Sequence, residues 1–333
     1  MRSMILNTNA PIESSPLRMS DVSDPVPGPG EVRVMVRCCA ICRTDLHVIE
    51  GDLPIEKMPV IPGHQVVGVV DRLGAGCNEL HVGDRIGIAW LRHTDGTCRF
   101  CAVGRENLCP ASRYTGYHAD GGYAEYAVVP EAFAYRIPEK FDDVTAAPLL
   151  CAGIIGYRSL KRTGIRPGQR LALFGFGSSA HVVLQIALAR GCEVYVVSRG
   201  ENHQQLARDL GARWAGGSAD GMPVKVDAAI LFAPVGSLVT SALNCLDRGG
   251  TLALAGIHMS PIPQIDYDAS LFQERDIHPV TANTREDGRE LLAEAAGAGV
   301  RPHVAQYDLA DANRALLDMK ADRIDGTGVL MVS

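Results

Sequence analysis

The first half of the chain contains short runs in which apolar and polar residues alternate. EVRVMVRC (31–38) alternates throughout, VVGVVDRLG (66–74) follows a Gly-His pair, and DRIGIAW (84–90) follows a glycine. A period of two is typical of half-buried β-strands, and the Gly and Pro residues between the runs are typical of turns. We therefore predict a compact, mostly β domain with long functional loops over residues 1–152.

From residue 153 onwards, strands alternate with helices. Buried apolar runs are followed by segments of helical periodicity, and glycines close two of these helices. The predicted strands cover residues 170–176, 192–198, 226–233 and 251–257, and the predicted helices cover residues 178–190, 202–210 and 237–246. Strands and helices that alternate at this spacing form a doubly wound parallel sheet, so we predict an α/β fold class.

The length of 333 residues exceeds what one hydrophobic core usually serves, which favours two domains. We expect the first domain to cover residues 1–152 and the second to cover residues 153–284. Residues 285–333 contain two further helical stretches and a final short strand at 328–333. We expect this last part to return to the first domain.

The composition narrows the class of protein. Hydrophobic residues make up 47% of the chain and charged residues 21%, which is a globular composition. The formal net charge is −6 and no basic block occurs, so we expect neither nucleic acid nor a membrane surface as a partner. The N-terminal apolar stretch is too short for a signal peptide, and no apolar run reaches membrane-spanning length. These features predict a cytoplasmic location.

Ten cysteines need an explanation other than disulfides, because reducing cytosol disfavours disulfide bonds. Six of the ten fall into two clusters, and such clusters favour metal binding. The first cluster is Cys38, Cys39 and Cys42, and the second is Cys98, Cys101 and Cys109.

Gly175-Phe-Gly177-Ser-Ser-Ala180 matches the G-x-G-x-x-A fingerprint of dinucleotide-binding folds. It follows a predicted strand and opens a predicted helix, as the fingerprint requires. Gly175 permits the tight turn, Gly177 lets the backbone approach a pyrophosphate, and Ala180 lets the helix pack on the sheet. We predict a dinucleotide site; the alternative is a tight turn without a ligand.

The end of the second predicted strand bears on the choice of cofactor. NAD enzymes usually place Asp or Glu there to hold the ribose hydroxyls, but this chain reads Val197-Ser198-Arg199. A carboxylate that would repel a 2′-phosphate is missing, and Arg199 could pair with such a phosphate. We therefore favour NADP. The alternative is that Arg199 is a solvated turn residue and that the chain accepts NAD as well.

Three further segments carry candidate chemistry: Cys42-Arg-Thr44-Asp45-Leu-His47, Gly63-His64-Gln65 and Leu150-Cys151-Ala152-Gly153. With VGDRI (82–86), GGYAEY (121–126) and the fingerprint, they closely resemble the zinc-containing alcohol dehydrogenases of the medium-chain dehydrogenase/reductase superfamily. The resemblance covers essentially the whole chain. It implies a GroES-like catalytic domain beside a Rossmann domain, a small alcohol or aldehyde as substrate, and a homo-oligomer, either a dimer or a tetramer.

By this resemblance, Cys42, His64 and Cys151 are the ligands of a catalytic zinc. Two thiolates and one imidazole leave the fourth tetrahedral position open for a substrate oxygen, where zinc acts as a Lewis acid. The alternatives are that His64 is a loop histidine bonded to the backbone and that Cys151 is a buried apolar thiol. Either would be favoured for a residue taken alone, but the combination disfavours both.

The resemblance also assigns roles to the neighbours. Thr44 matches the hydroxyl that takes the alcohol proton and passes it through the cofactor ribose to His47 at the surface. Asp45 matches a carboxylate that orients His64 or screens the zinc. Arg43 matches a residue that contacts the cofactor pyrophosphate, and the alternative for it is a solvated loop cation.

The second cysteine cluster resembles the structural zinc site of many family members, whose pattern is C-x₂-C-x₂-C-x₇-C. This chain keeps the spacing, with Asp95 in place of the first cysteine before Cys98, Cys101 and Cys109. A carboxylate oxygen is an acceptable zinc ligand, so we predict an Asp-Cys₃ site. The alternatives are a lobe without metal, or water at that corner.

Several positions depart from the family pattern or bear on substrate choice. Gln65 replaces the Glu usual after the zinc histidine, and Thr327 stands where many relatives carry a second pyrophosphate-binding Arg. Trp90 matches a bulky pocket wall, which hints at primary alcohols or aldehydes, although it could equally be plain core. Leu53 replaces an aromatic wall and would widen the pocket.

The leading hypothesis is a zinc-dependent alcohol dehydrogenase or aldehyde reductase that uses NADP(H) or NAD(H). A second hypothesis is a non-catalytic relative that acts as a structural or nucleotide-sensing protein. The intact set of ligands and relay residues disfavours it, because a structural protein needs no proton relay. A third is a zinc-free quinone-type reductase of the same superfamily, which should lack these ligands.

Overall fold

The computed structural model describes residues 1–332, so the last residue of the strand predicted at 328–333 lies outside the described part. The chain forms two compact units. Unit 1 consists of Met1–Ala152, Ala282–Ala296 and the residues from Pro302 onwards, and unit 2 consists of Gly153–Thr281 and Gly297–Arg301. The domain boundaries expected after residues 152 and 284 stay predictions.

The strands and helices follow one another along the whole chain. The strands are β1 (Arg2–Leu6), β2 (Leu17–Asp21), β3 (Glu31–Ala40), β4 (Gln65–Leu73), β5 (Arg85–Ile88), β6 (Leu91–His93), β7 (Arg113–Tyr114), β8 (Tyr126–Pro130), β9 (Ala134–Arg136), β10 (Arg170–Phe174), β11 (Glu193–Val197), β12 (Trp214–Gly216), β13 (Val226–Leu231), β14 (Leu246–Leu254), β15 (Asp276–Pro279), β16 (Val304–Asp308) and β17 (Thr327–Met331). The α-helices are α1 (Arg43–Glu50), α2 (Asp143–Ala146), α3 (Ala152–Thr163), α4 (Ser178–Ala189), α5 (Glu201–Asp209), α6 (Leu238–Cys245), α7 (Tyr267–Ser270), α8 (Arg285–Ala298) and α9 (Ala312–Lys320). Short 3₁₀ turns occur at Ile12–Ser14, Cys101–Val103, Glu106–Leu108, Glu131–Phe133, Ala147–Leu150, Ala219–Gly221 and Leu309–Asp311.

The main sheet of unit 1 has the strand order β16-β17-β3-β4-β5-β9, and β8 also pairs with β3. Along β3, Val32, Val34 and Val36 are buried while the residues between them are more exposed, which is the pattern that the alternation predicts. A register shift between Val36 and Cys38 then brings three consecutive buried residues to the end of the strand. The valines pack into the core of unit 1.

The sheet of unit 2 has the strand order β12-β11-β10-β13-β14-β15, and every neighbouring pair is parallel. The order reverses between β10 and β13, which is the arrangement of a doubly wound, Rossmann-type sheet. The predicted fold class is thereby confirmed for this unit.

Some strands were not predicted. β12, β15 and β16 have only three to five residues, and each includes partly exposed positions. β14 starts at Leu246 rather than at residue 251, because Asp247, Arg248 and Gly249 look like a turn but continue the ladder. Among the described residues, every helix is too short or too polar to traverse a bilayer.

Candidate functional site: two clusters of metal ligands and a dinucleotide cradle

Two candidate metal ligands lie at the same end of the antiparallel β3–β4 pair. β3 ends at Ala40 and β4 begins at Gln65, and these two residues face each other in the register. Cys42 comes two residues after the end of β3, and His64 comes one residue before the start of β4. The strand pairing therefore brings the thiol and the imidazole to one place.

A buried carboxylate joins these ligands. Asp45, in the first turn of α1, is 2% exposed, and its Oδ2 accepts a 2.8 Å hydrogen bond from the backbone N–H of Cys42. Its Oδ1 lies 3.0 Å from Nδ1 of the fully buried His64. The phenol O–H of Tyr123 donates a further bond of 3.0 Å to Oδ2. A buried carboxylate is costly unless its oxygens are paired, so these bonds fix its position.

Cys151 follows the 3₁₀ turn Ala147–Leu150 and is buried beside the other two ligands. Its Sγ lies 3.9 Å from Sγ of Cys42, and the ligand atoms of these two cysteines and His64 all lie within 4.8 Å of one another. In a tetrahedral site with Zn–S distances of ~2.3 Å, two sulfurs are about 3.8 Å apart. The sulfur pair thus has the spacing that zinc requires.

The second ring nitrogen of His64 also fits a metal. Nε2 is buried and has no hydrogen-bond partner within residues 1–332. Because Nδ1 is tied to Asp45, the neutral ring keeps its proton on Nδ1 and leaves the Nε2 lone pair available.

The charges around the ligands favour a cation among them. The Cys151 thiol and the His64 ring hold the pKa of Cys42 well below its usual range, although burial opposes this. Burial by itself would lower the pKa of His64, but the charge and hydrogen bond of Asp45, helped by Cys42, raise it to about 10. Asp45 and Cys42 thus favour positive charge at the His64 ring, and a metal ion at Nε2 would supply that charge in place of the second ring proton.

The candidate relay residues lie along α1. Thr44 is buried, and its Oγ1 lies 3.7 Å from Sγ of Cys42. His47 is one turn further on, and its Nδ1 lies 2.8 Å from Oδ2 of Asp52. Arg43 is exposed at the start of the helix. The helix thus runs from the metal ligands to a histidine–aspartate pair nearer the surface.

Aromatic rings extend from the metal ligands. The Trp90 ring meets the His64 ring edge-on at 4.9 Å between centroids, and it stacks on Tyr114 at 4.8 Å and on Tyr117 at 5.9 Å. Leu53 packs against the same hydrophobic core. Trp90 is 7% exposed, so it belongs to the core. Its ring contact makes it a neighbour of His64 as well.

Two of the departures from the family pattern, Gln65 and Thr327, are buried. Gln65 is fully buried, and its Oε1 accepts a 3.4 Å hydrogen bond from the backbone N–H of Ala152. This bond ties the start of β4 to the residue that follows Cys151. Thr327 is also buried, and its N–H donates to the carbonyl of His303 at the start of β17.

The second cluster comes together as the spacing suggests. The ligand atoms of Asp95, Cys98, Cys101 and Cys109 lie within 4.8 Å of one another, and Sγ of Cys98 lies 3.5 Å from Sγ of Cys101. Asp95 Oδ1 accepts hydrogen bonds of 2.9 Å from the backbone N–H groups of Thr97 and Cys98. These bonds lower the pKa of Asp95 and hold its carboxylate toward the thiols. One carboxylate and three thiols suit zinc.

An ion pair that the sequence did not reveal anchors this lobe. Glu106 lies between Cys101 and Cys109, and its carboxylate accepts bonds of 2.7 to 3.1 Å from the backbone N–H, Nε and Nη2 of Arg285 at the start of α8. Glu106 is 8% exposed, so its carboxylate is largely shielded from water, whereas the Arg285 side chain is partly exposed.

The fingerprint residues lie where β10 gives way to α4. Gly175 has a φ of 87°, and a Cβ there would lie 3.1 Å from the backbone nitrogen of Ala233. A Cβ at Gly177 would meet no described atom within 4 Å, so the space beside its backbone is open. Ala180 is fully buried in the first turn of α4. The turn requires glycine at the first position and leaves room for a ligand at the second.

Ser198 and Arg199 leave the sheet at the same edge as Gly175, whose N–H donates to the carbonyl of Val197 at 2.8 Å. The Ser198 carbonyl accepts a bond of 2.8 Å from Nε2 of Gln204. Arg199 is exposed.

Sequence reasoning assigned no role to Tyr123 or Asp52. The GGYAEY motif marks the position of Tyr123 but not the contact of its hydroxyl group with Asp45. Asp52 follows the glycine that ends α1, and only the fold shows that it faces His47.

Comparisons with known proteins show the family of the chain. The family model described as "Alcohol dehydrogenase GroES-like domain" matches residues 28–139, and the model described as "Zinc-binding dehydrogenase" matches residues 180–297. The chain is 54% identical over 327 residues to a probable alcohol dehydrogenase, AdhA, of Mycobacterium tuberculosis. The match covers 97% of this chain and 94% of that protein.

Solved structures share the fold. A cinnamyl alcohol dehydrogenase from Sorghum bicolor superimposes with a TM-score of 0.91 at 26% identity, covering 99% of this chain and 97% of that chain. A cobalt- and zinc-bound thermostable alcohol dehydrogenase from Pyrobaculum aerophilum gives a TM-score of 0.91 at 25% identity, covering 100% and 99%. The resemblance inferred from the motifs is confirmed.

We predict that Gly63→Ala destabilises the chain more than Gly76→Ala does. Both glycines have positive φ, 95° and 85°, so both substitutions cost about 1–2 kcal/mol in the left-handed conformation. Only at Gly63 would the new Cβ collide with the Tyr123 ring and with Sγ of Cys39, whereas at Gly76 it would meet nothing within 4 Å. Overpacking should cost a further ~1–3 kcal/mol. Urea unfolding of both variants measures the difference, and equal losses would contradict the tight packing beside His64.

Proposed function

The chain belongs to the zinc-containing alcohol dehydrogenases of the medium-chain dehydrogenase/reductase superfamily, and on that premise we propose that it transfers a hydride between a primary alcohol or aldehyde and NADP(H). In the oxidative direction, a bound nicotinamide would supply the hydride acceptor, and Thr44 and His47 would take up the proton of the alcohol. The observation that carries the proposal is the convergence of two sulfurs 3.9 Å apart with a buried imidazole nitrogen that has no hydrogen-bond partner among residues 1–332.

Cys42, His64 and Cys151 would hold a zinc ion. When bound, zinc supplies Lewis-acid chemistry that polarises the oxygen of the alcohol or aldehyde. The chain itself supplies the ligand geometry: Asp45 fixes the His64 tautomer, and Gln65 holds the backbone next to Cys151 through its bond to Ala152.

Two side chains on α1 would handle the proton. The Thr44 hydroxyl is adjacent to Cys42, so it is placed to receive the proton of the substrate hydroxyl group. His47 would hand the proton to solvent. Its contact with Asp52 would orient the ring for that step.

The proposed preference for NADP rests on Ser198 and Arg199. Arg43 would add a contact to the pyrophosphate, and Gly175, Gly177 and Ala180 would shape the turn beneath it. With a serine at the end of β11 and an exposed guanidinium after it, a 2′-phosphate meets no repelling carboxylate from these positions. Use of NAD remains compatible with the same residues.

The substrate proposal rests on Trp90. Its ring stands beside His64, and a wall at that place limits branching next to the reacting carbon. The Asp95 cluster would hold a second, structural zinc. A dimer or tetramer and a cytoplasmic location stay predictions.

The non-catalytic alternative does not explain the cluster of Cys42, His64 and Cys151. A structural or nucleotide-sensing relative has no use for a buried ring nitrogen beside two thiols that finds no partner in the described part of the chain, since leaving it unpaired costs free energy. The ligand cluster therefore favours the enzyme.

A panel of primary alcohols, aldehydes and branched ketones, assayed with NADP(H) and NAD(H), tests the function. We expect oxidation of NADPH with simple aldehydes, and weaker activity with branched ketones. Nucleotide binding without turnover of any substrate would instead support the non-catalytic alternative.

Metal analysis of purified protein should give about two zinc ions per chain. Cys151→Ser should lose about one zinc and nearly all activity, whereas Cys109→Ser should lose about one zinc and keep most activity. The control is Cys245→Ser, another buried cysteine that belongs to neither cluster. Zinc absent from the wild-type protein would refute the zinc proposal, and a content unchanged in Cys109→Ser would show that the Asp95 cluster holds none.

Arg199→Gln should weaken use of NADPH and leave use of NADH nearly unchanged. A hydrogen bond to a charged group contributes about 1.5–3 kcal/mol, so kcat/KM for NADPH should fall about tenfold or more. Ser198→Asp should shift preference toward NADH in the same way. The control is Arg213→Gln, which removes an exposed arginine before β12, at the opposite edge of the sheet. Equal effects on both cofactors would remove the argument for NADP.

A further inference from the structure

Tyr123 is a fully buried residue whose hydroxyl group points at the candidate metal site without being one of its ligands. Its O–H donates a 3.0 Å hydrogen bond to Oδ2 of Asp45, and the other oxygen of that carboxylate lies 3.0 Å from Nδ1 of His64. A continuous chain of hydrogen bonds therefore runs from the phenol through a carboxylate to the imidazole.

The backbone around Tyr123 is fixed against the segment that leads to His64. The N–H groups of Gly121, Gly122 and Tyr123 donate to the carbonyls of Ile61, Gly63 and Pro62, respectively, over 2.7 to 3.0 Å. The carbonyl of Tyr123 in turn accepts from Met4. The backbone of Tyr123 thus cannot shift relative to the segment before His64 without breaking these hydrogen bonds.

The ring of Tyr123 also leaves no spare space. A Cβ added at Gly63 would lie within 2.7 Å of the ring edge and within 2.9 Å of Sγ of Cys39. Such packing restricts the ring to one orientation, so its hydroxyl group is directed at Asp45 before any metal binds.

Asp45 needs this donor. The carboxylate is almost completely buried, and within residues 1–332 its Oδ2 accepts two hydrogen bonds, from the Cys42 N–H and the Tyr123 O–H. Loss of one donor leaves the carboxylate under-satisfied and free to rotate. Rotation about its bond would weaken the contact to Nδ1 of His64, and the tautomer that leaves Nε2 free for a metal would no longer be fixed.

We propose that Tyr123 is a positioning residue for the zinc site: it sets metal affinity by holding the Asp45 carboxylate, which in turn orients His64. This inference rests on the proposed function, because it requires that Cys42, His64 and Cys151 bind zinc. It assigns the phenol no contact with substrate or cofactor.

The test is Tyr123→Phe, which keeps the ring and removes only the hydroxyl group. The control is Tyr195→Phe in unit 2, since Tyr195 is also buried and donates a 3.0 Å bond to the carboxylate of Glu193. Zinc affinity is measured by competition with a chromophoric chelator, and cobalt substitution reports the ligand field of the site. Melting temperatures show whether the two variants are equally folded.

We expect Tyr123→Phe to bind zinc at this site about tenfold more weakly, to release it faster and to alter the cobalt spectrum. Tyr195→Phe should leave all three unchanged, and zinc in the Asp95 cluster should be released at the wild-type rate in both variants. In an Asp45→Asn background, Tyr123→Phe should have little further effect, because the path through the carboxylate is already broken.

Unchanged affinity and an unchanged cobalt spectrum in Tyr123→Phe would overturn the inference while leaving the proposed function intact. So would an equal loss in Tyr195→Phe, since that would mean general destabilisation. If Tyr123→Phe does not fold, the cobalt spectrum of Asp45→Asn decides: a wild-type spectrum would remove the carboxylate from the path. Wild-type protein that binds no zinc through Cys151 would overturn the proposed function, and this inference with it.

Discussion

The geometry of the candidate zinc site depends on the hydrogen bonds of one buried carboxylate, that of Asp45. Its partners come from three separate parts of unit 1: the start of α1, the residue before β4 and the segment before β8. A buried charge without hydrogen-bond partners would cost several kcal/mol. Burial of Asp45 is therefore favourable only when all three segments are in their native positions. The same bonds that satisfy the carboxylate therefore place Cys42 and His64.

The register of the β3–β4 pair determines how far Cys42 lies from His64, because these residues flank the paired ends of the two strands. A slip of one residue in the register would turn each side chain of a strand to the opposite face. Alternating valines on β3 disfavour such a slip, since it would move buried side chains to the more exposed face. The hydrophobic pattern of β3 thus fixes the register, and the register fixes the separation between the Cys42 thiol and the His64 imidazole at the end of the strand pair. Packing of the core therefore also positions the candidate metal ligands.

Strands could be predicted from the sequence where the pattern of buried and exposed residues is strong. The alternation in β3 and β4 and the buried strand before Gly175 predicted elements that the structure contains, because burial on one or both faces leaves a clear pattern. The short strand β12 gave no such signal. Tyr123 could not be assigned either: its motif announces a turn and a strand, whereas the contact of its hydroxyl group depends on how two distant segments pair. The same holds for Glu106 and Arg285, which are far apart in sequence.

Aspartate has opposite roles in the two ligand clusters, and burial explains the difference. Asp45 is buried and its oxygens accept hydrogen bonds from protein donors, so it would act on a metal through His64. Asp95 is exposed, and two backbone N–H groups hold its Oδ1 beside three thiols, where it can act as a ligand. Replacing a thiolate by a carboxylate preserves the charge of the ligand set but exchanges a soft donor for a hard one. The Asp95 cluster should therefore hold zinc less tightly than four thiolates would, and Glu106, paired with Arg285, stabilises that lobe without relying on the metal.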